Sequence, residues 1–244
     1  VPERFFRRLG HGAFGAWFTA AFLAVALPVV GLAALLPGLH RRRRLVRSGA
    51  AACFALTATR LKVSGLHHLP DGGCIVVANH ASYLDGIVLT AVLPPRFGFV
   101  IKREMTRVPL AHFLLRRIGS EFVERFDAHR SANDARRILR RARDRASLAF
   151  FPEGTFRREP GLRRFHPGAF VTATRSGLPV VPVVIRGSRA MLPAEEWLPR
   201  PGTIEVIIQP ALPVPPDEPV RSLLQASRQS ILSELDEPDL GSRG

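Results

Sequence analysis

Cysteine, tyrosine and lysine are all scarce in this chain of 244 residues, and each scarcity narrows what the protein can do. Cys53 and Cys74 are the only cysteines, too few for a disulfide framework and at no metal-ligand spacing. Both read as packing residues in a reducing compartment. Tyr83 is the only tyrosine and most phenylalanines sit inside apolar runs, which leaves few aromatics among the cations to stack on bases. Nucleic acid is therefore not an expected partner. Lys62 and Lys102 are the only lysines, so the formal net charge of +15 is carried almost wholly by arginine. That balance favours anionic lipid surfaces and phosphorylated substrates.

Charge is missing altogether from Gly12 to Leu39, "GAFGAWFTAAFLAVALPVVGLAALLPGL". About 20 apolar residues suffice to cross a bilayer, so the run is long enough, and Pro28, Gly31 and Pro37 predict a break near its middle. A cleaved signal peptide is shorter and does not end in arginines. A core helix would be unusually long and uniformly apolar. A single span and a helix-break-helix hairpin dipping into one leaflet both fit. Basic residues flank the run, Arg4, Arg7 and Arg8 before it and "HRRRRLVR" (40–47) after it, an asymmetry that favours the following side as cytoplasmic. Residues 1–59 are thus expected to form a membrane-associated helical segment with a second, weaker helix at 48–61. Residues 60–244 then form a second, globular domain, on the cytoplasmic face.

Within 60–244, apolar runs alternate with helical patterns. Strands are expected at 60–66, 74–79, 97–102, 121–126, 147–152, 179–186 and 203–209, and helices near 84–93, 109–118, 131–146, 167–176 and 220–235. This alternation predicts an α/β domain whose mostly parallel sheet is flanked by helices. The Pro-rich segment 210–219 reads as a rigid connector.

Two strand candidates end in polar interruptions. In "VVANHASYLD" (76–85), His80 and Asp85 are five residues apart and would diverge on one continuous helix, so a strand end and a helix start must lie between them. That bend puts both at the carboxyl edge of the sheet, where open α/β sheets hold ligands. A carboxylate there can fix the imidazole tautomer and leave the second nitrogen free to take a proton from a substrate hydroxyl. The competing reading is a capping aspartate and a loop histidine. In "LAFFPEGTFRR" (148–158), Gly154, Thr155, Arg157 and Arg158 make an anion site by composition, against the alternative of a solvated turn with a basic rim. His67 and His68 point apart in an extended segment and read as loop residues rather than metal ligands, and the arginine-rich helix at 131–146 reads as a solvated face, with contact to a phosphate-rich surface as the alternative.

"NHASYLD" and "FPEGT", in this order, resemble the first and third motifs of the glycerolipid acyltransferase family, which includes 1-acylglycerol-3-phosphate acyltransferase. "GFVIKREM" followed by Pro109 is similar to its second motif and "VVPVVIRG" (180–187) to its fourth. The resemblance implies that His80 is the general base on the acceptor hydroxyl and that Asp85 orients it. Lys102 and Arg103 would hold the acceptor phosphate, with Glu153, Gly154 and Thr155 as the opposite wall and Arg157 as a further clamp. It implies acyl-CoA or acyl carrier protein as donor, a lysophosphatidic acid-like acceptor in phospholipid biosynthesis, membrane lipids as partners, and no metal or other cofactor. Another lysolipid or polar acceptor is the alternative, and a non-catalytic basic membrane adaptor is the rival class. One departure stands out: Phe156 occupies the position after Thr155 where the family commonly has arginine, which here comes one place later. Another is His166-Pro167, where many relatives carry a lysine before the glycine.

Overall fold

Seven strands, β1 (Arg60–Ser64), β2 (Ile75–Ala78), β3 (Gly98–Lys102), β4 (Glu121–Val123), β5 (Leu148–Phe150), β6 (Val180–Arg186) and β7 (Thr203–Ile208), form one sheet in the order β1-β7-β6-β2-β5-β3-β4. The computed structural model describes residues 2–124 and 128–241, with the side chains of 2–9, 128 and 130 left aside. Every pairing is parallel except β6 with β7, so β1 and β7 run opposite to the other five. The mostly parallel α/β fold is the one the alternation of patterns predicts. All seven expected strands form; residues 125 and 126 of the fourth candidate lie outside the described residues.

β2 occupies the centre, Ile75 lying beside Leu148 on one side and Val180 on the other. Its residues are fully buried because both faces of the sheet are covered, and successive side chains go to opposite layers. Cys74, Val76 and Ala78 join Ala149, Val181, Val183 and Ile185 on the face covered by α2 (Leu39–Leu56) and α3 (Leu84–Val92). Ile75, Val77, Leu148, Val180 and Val184 face α5 (Ala128–Arg143), α6 (Gly168–Ser176) and α8 (Val220–Glu234). Two short helices complete the chain order, α4 (Pro109–Arg117) after β3 and α7 (Ser188–Met191) after β6.

The N-terminal helix differs from expectation. α1 (Pro2–Leu35) runs unbroken through Pro28, and the chain breaks only at Pro37-Gly38, where Gly38 has φ 81°. Pro28 forfeits one helical hydrogen bond but lies on the exposed side, and Val25 and Val29 are held against α2 across it. The helices approach closely there, since a Cβ on Gly49 would come within 2.7 Å of Val29 Cγ2. α2 also begins well before the expected residue 48 and takes in Arg41, Arg42, Arg43 and Arg44. Arginine is a good helix former, and Arg43 turns inward to donate to Ile118 O at 2.8 Å and Arg96 O at 2.7 Å. Burial, with Arg141 close by, pushes its guanidinium down to about 10.

One face of α1 is buried, with Phe18, Ala21, Val29 and Ala33 turned inward, while its opposite face exposes Trp17, Leu23, Leu27, Leu32 and Leu35. The stretch Gly10–Leu35 is long and apolar enough to cross a membrane, with a mean hydropathy of 2.3. Its last carbonyls, which no helical amide can reach, are met by one side chain. Arg117 of α4 donates to Ala33 O at 3.0 Å, Ala34 O at 2.7 Å and Leu36 O at 3.4 Å. Arg117→Ala is expected to cost about 1–3 kcal/mol by leaving these carbonyls without donors. Thermal unfolding in detergent would record it as a fall in Tm, which Arg117→Lys restores only in part because one ammonium cannot span three carbonyls.

Candidate active site

The site is assembled where β2 ends and α3 begins. After Ala78 the chain places Asn79, whose buried side chain bonds twice to one residue of β6: its Nδ2 donates to Ile185 O at 2.9 Å and its Oδ1 accepts from Ile185 N at 2.7 Å. This bridge fixes the strand end before the chain turns. His80 follows, and Ala81-Ser82-Tyr83 leads into the first turn of α3, which holds Asp85.

Asp85 is fully buried, and its Oδ2 accepts three hydrogen bonds, from Ala81 N at 2.6 Å, Ser82 N at 2.8 Å and His80 Nδ1 at 2.9 Å. One oxygen of Asp85 thus joins the imidazole to the loop that precedes α3. Because Nδ1 serves as donor, Nε2 carries the free lone pair. Ser82 closes the turn by accepting from Leu84 N at 3.1 Å and donating to Leu192 O at 2.7 Å.

The second polar interruption meets the first. Glu153, 4% exposed, accepts from His80 N at 2.6 Å through Oε1 and from Arg163 N at 2.8 Å through Oε2. Its carboxylate thus ties two loops together. Gly154 adopts φ 75° and donates its amide to Phe151 O at 3.0 Å, a tight turn that brings the following residues back over the histidine. The His80 ring stacks on Phe151 at 4.2 Å, with 20° between planes, and meets Phe156 at 4.5 Å. Phe156 in turn is met edge-on by Tyr83 at 4.7 Å. The imidazole is thus held by a carboxylate at one nitrogen and by two aromatic rings.

His80, Asp85 and Glu153 come together in direct contact, and Gly154 and Thr155 form the turn beside them, Thr155 exposed. Lys102 ends β3, separated from β2 by β5. Arg103 binds Asp134 at 3.0 Å and Glu124 at 3.5 Å, so its guanidinium is engaged with acids of its own fold. Arg157 is exposed, and its carbonyl accepts from Arg189 Nη1 at 2.5 Å. Arg158 pairs with Glu196 at 3.4 Å. The sequence assigned no role to Asn79, Ser82 or Phe151, and Phe156 stood out only as a departure. Its signal was the aromatic residue on each side of "PEGT", which the turn at Gly154 folds onto one histidine.

A histidine–aspartate pair at the carboxyl edge of an α/β sheet is an arrangement that can take up a proton from a bound ligand. Residues 60–186, more than half of the chain, match the Acyltransferase family, and the chain belongs to it. It is 28% identical to a 1-acyl-sn-glycerol-3-phosphate acyltransferase of Chlamydomonas reinhardtii over 236 residues, 94% of this chain and 70% of that protein. It is 34% identical to lysophosphatidylcholine acyltransferase 1 of Rattus norvegicus over 137 residues, 54% of this chain and 24% of that one. The chain spans less than half the length of several relatives it matches. The fold is similar to the crystal structure of the 1-acyl-sn-glycerophosphate (LPA) acyltransferase PlsC from Thermotoga maritima, with TM-score 0.79 at 20% identity over 93% of this chain and 95% of that one.

Burial pushes the Glu153 carboxyl from 4.5 up to about 7, against the two amides that favour its ionised form. Unfolded, the group loses its proton near 4.5; folded, near 7. The folded state therefore holds the extra proton between these values, and stability falls as pH rises through that window, by at most about 3 kcal/mol. Glu153→Gln carries no such proton. The stability difference, wild type minus Glu153→Gln, should decline between pH 5 and 7 in parallel denaturation series, and a difference independent of pH would refute the assignment.

Proposed function

We propose that the protein transfers a fatty acyl group from a thioester of coenzyme A or acyl carrier protein to the hydroxyl of a lysophosphatidic acid-like acceptor, at a membrane surface, in phospholipid biosynthesis. The observation that carries this reading is the bond from His80 Nδ1 to Asp85, with Nε2 left free at the mouth of the turn. Nε2 removes the acceptor's hydroxyl proton as the oxygen attacks the thioester carbonyl. The carbon–sulfur bond then breaks, and the thiolate leaves with the proton returned by His80.

Direct transfer, without an acyl-enzyme, is supported by the state of the protein's own nucleophiles. Cys53 and Cys74 are buried, and burial raises both thiols, that of Cys74 to about 11. The Ser82 hydroxyl is occupied by Leu192 and Leu84. With Arg103 engaged by Asp134 and Glu124, Lys102 and Arg157 are the phosphate contacts of this reading among the residues that the motifs name. The outward face of α1, uncharged from Gly12 onward, supports attachment to the bilayer. The packing of α1 along α2, and of α2 along the catalytic body, supports an orientation with α1 in the plane of the membrane interface and the catalytic body on its cytoplasmic side.

His80→Ala should lower kcat by ~100 to 10,000-fold with little change in KM, since a general base acts in the transition state, and Asp85→Asn should cost somewhat less. An acyl-transfer assay with radiolabelled donor measures both; near wild-type turnover in His80→Ala would remove the dyad from the mechanism. The phosphate contact separates two arginines. Arg157→Ala should raise KM for the acceptor and leave that for the donor unchanged, because a ground-state contact distant from the reacting oxygen contributes mainly to binding. Arg103→Ala should instead lower Tm by removing one of the donors to the buried Asp134, with the acceptor KM unchanged. The opposite pattern, an acceptor defect in Arg103→Ala alone, would move the phosphate to the end of β3.

A further inference from the structure

The connection from β6 to β7 carries the most exposed aromatic side chain among the large hydrophobic residues described. Trp197 is 90% exposed and Leu198 48%, at the tip of a loop whose base is well tied. Leu192 and Ala194 are buried, Arg200 N donates to Met191 O at 2.7 Å, and Arg200 Nη2 lies 2.6 Å from each oxygen of Glu196. The tip is thus a built feature, braced from behind. Nothing in the loop's own packing covers the indole.

Its surroundings identify what does. A Cβ on Gly15 would meet Leu198 Cβ at 2.7 Å and Pro199 O at 3.1 Å, so the loop lies directly on α1 and only glycine fits at the crossing. Two residues along α1, Trp17 is 56% exposed and donates from Nε1 to Leu56 O at 3.3 Å. The chain has two tryptophans, and both are exposed, one on α1 and one on the loop that crosses α1 at Gly15. Tryptophan favours the boundary between headgroups and acyl chains, where its ring is buried and its N–H stays wet. The loop is also coupled to the catalytic turn, through Ser82 Oγ to Leu192 O and through Arg158 to Glu196.

We propose that residues 192–202 form a second membrane anchor, with Trp197 and Leu198 inserted among phospholipids beside α1, so that the catalytic end of the sheet is held against the bilayer. This rests on the membrane-attached reading above and adds to it a specific contact. Anchored only by α1, the body can roll about the helix axis. A second point of insertion, off that axis, stops the roll and fixes which edge faces the lipid.

The test uses the full chain and vesicles of phosphatidylcholine and phosphatidylglycerol, with and without bromine on the acyl chains. In Trp17→Phe, Trp197 is the sole indole; its emission should shift to the blue on vesicle binding and be quenched by the brominated chains. Should Trp17→Phe alone fail to float with vesicles, the difference between wild type and Trp197→Phe carries the same reading. In assays, the double variant Trp197→Ala/Leu198→Ala should raise KM several-fold for a lysolipid presented in vesicles, and leave both constants unchanged for a short-chain, water-soluble acceptor. A protein that floats with vesicles while Trp197 keeps its aqueous emission and escapes bromine overturns this proposal and leaves the membrane reading standing. If the wild type does not float at all, both fall together.

Discussion

One carboxylate oxygen organises the catalytic end of the molecule. Asp85 Oδ2 receives the amides of Ala81 and Ser82 and the Nδ1 proton of His80, and these three bonds set where β2 stops, how the chain turns and which imidazole nitrogen remains basic. A buried carboxylate oxygen is costly unless donors meet it, and here Oδ2 is met by two amides of the loop ahead of α3 and by the imidazole. The spacing of five residues follows from this. It is the distance at which a side chain from the first helical turn reaches back across the bend to the residue leaving the strand. Glu153 repeats the device from the neighbouring strand end, and Asn79 from the other side, so the histidine lies among three polar side chains that each hold backbone in place.

The arginines show how little net charge says about ligands by itself. Arg43 and Arg117 are donors to carbonyls between helices, Arg137 and Arg141 neutralise Glu121 beneath α5, and Arg189 grips Glu237 in the C-terminal segment. These residues act as structural hydrogen-bond forks, a use for which guanidinium suits better than ammonium. On the proposed reading, an acceptor phosphate is met by Lys102 and Arg157. Arg103, which a linear motif places among the clamps, is drawn off by Asp134, a partner thirty-one residues away that only the fold brings near.

The parallel sheet was legible because both of its faces are covered: its central strands read as unbroken apolar runs, and polar residues interrupt those runs only where the strands end. The dyad was legible for the same reason, since His80 is polar where the run should continue. Three things were hidden. The continuity of α1 through Pro28 depends on α2 holding both sides of the proline, and the early start of α2 depends on carbonyls at Ile118 and Arg96 that receive Arg43. The role of Phe156 depends on a left-handed glycine that swings it onto His80. Each is a contact between segments far apart in sequence or across a turn, and neither periodicity nor local propensity records such contacts.

The topology explains why the apolar helix and the active site belong together. β1 runs opposite to β2, so α2, which delivers the chain to β1, ends at the carboxyl edge of β2 where His80 lies. α1 returns antiparallel along α2, with Trp17 beside Leu56 and Val29 beside Gly49, so its Gly15–Trp17 segment is at that same edge. On the proposed membrane-attached reading, an acceptor lipid with its tails in the bilayer presents its glycerol hydroxyl and phosphate at headgroup depth, the level at which tryptophan rests. The rings of Phe151 and Phe156 about His80 suit that depth. On that reading the acceptor reaches the base by lateral diffusion, without its chains crossing water, and the reversal of β1 relative to β2, made at the antiparallel β6–β7 pairing, is the constraint that brings the two surfaces to one end.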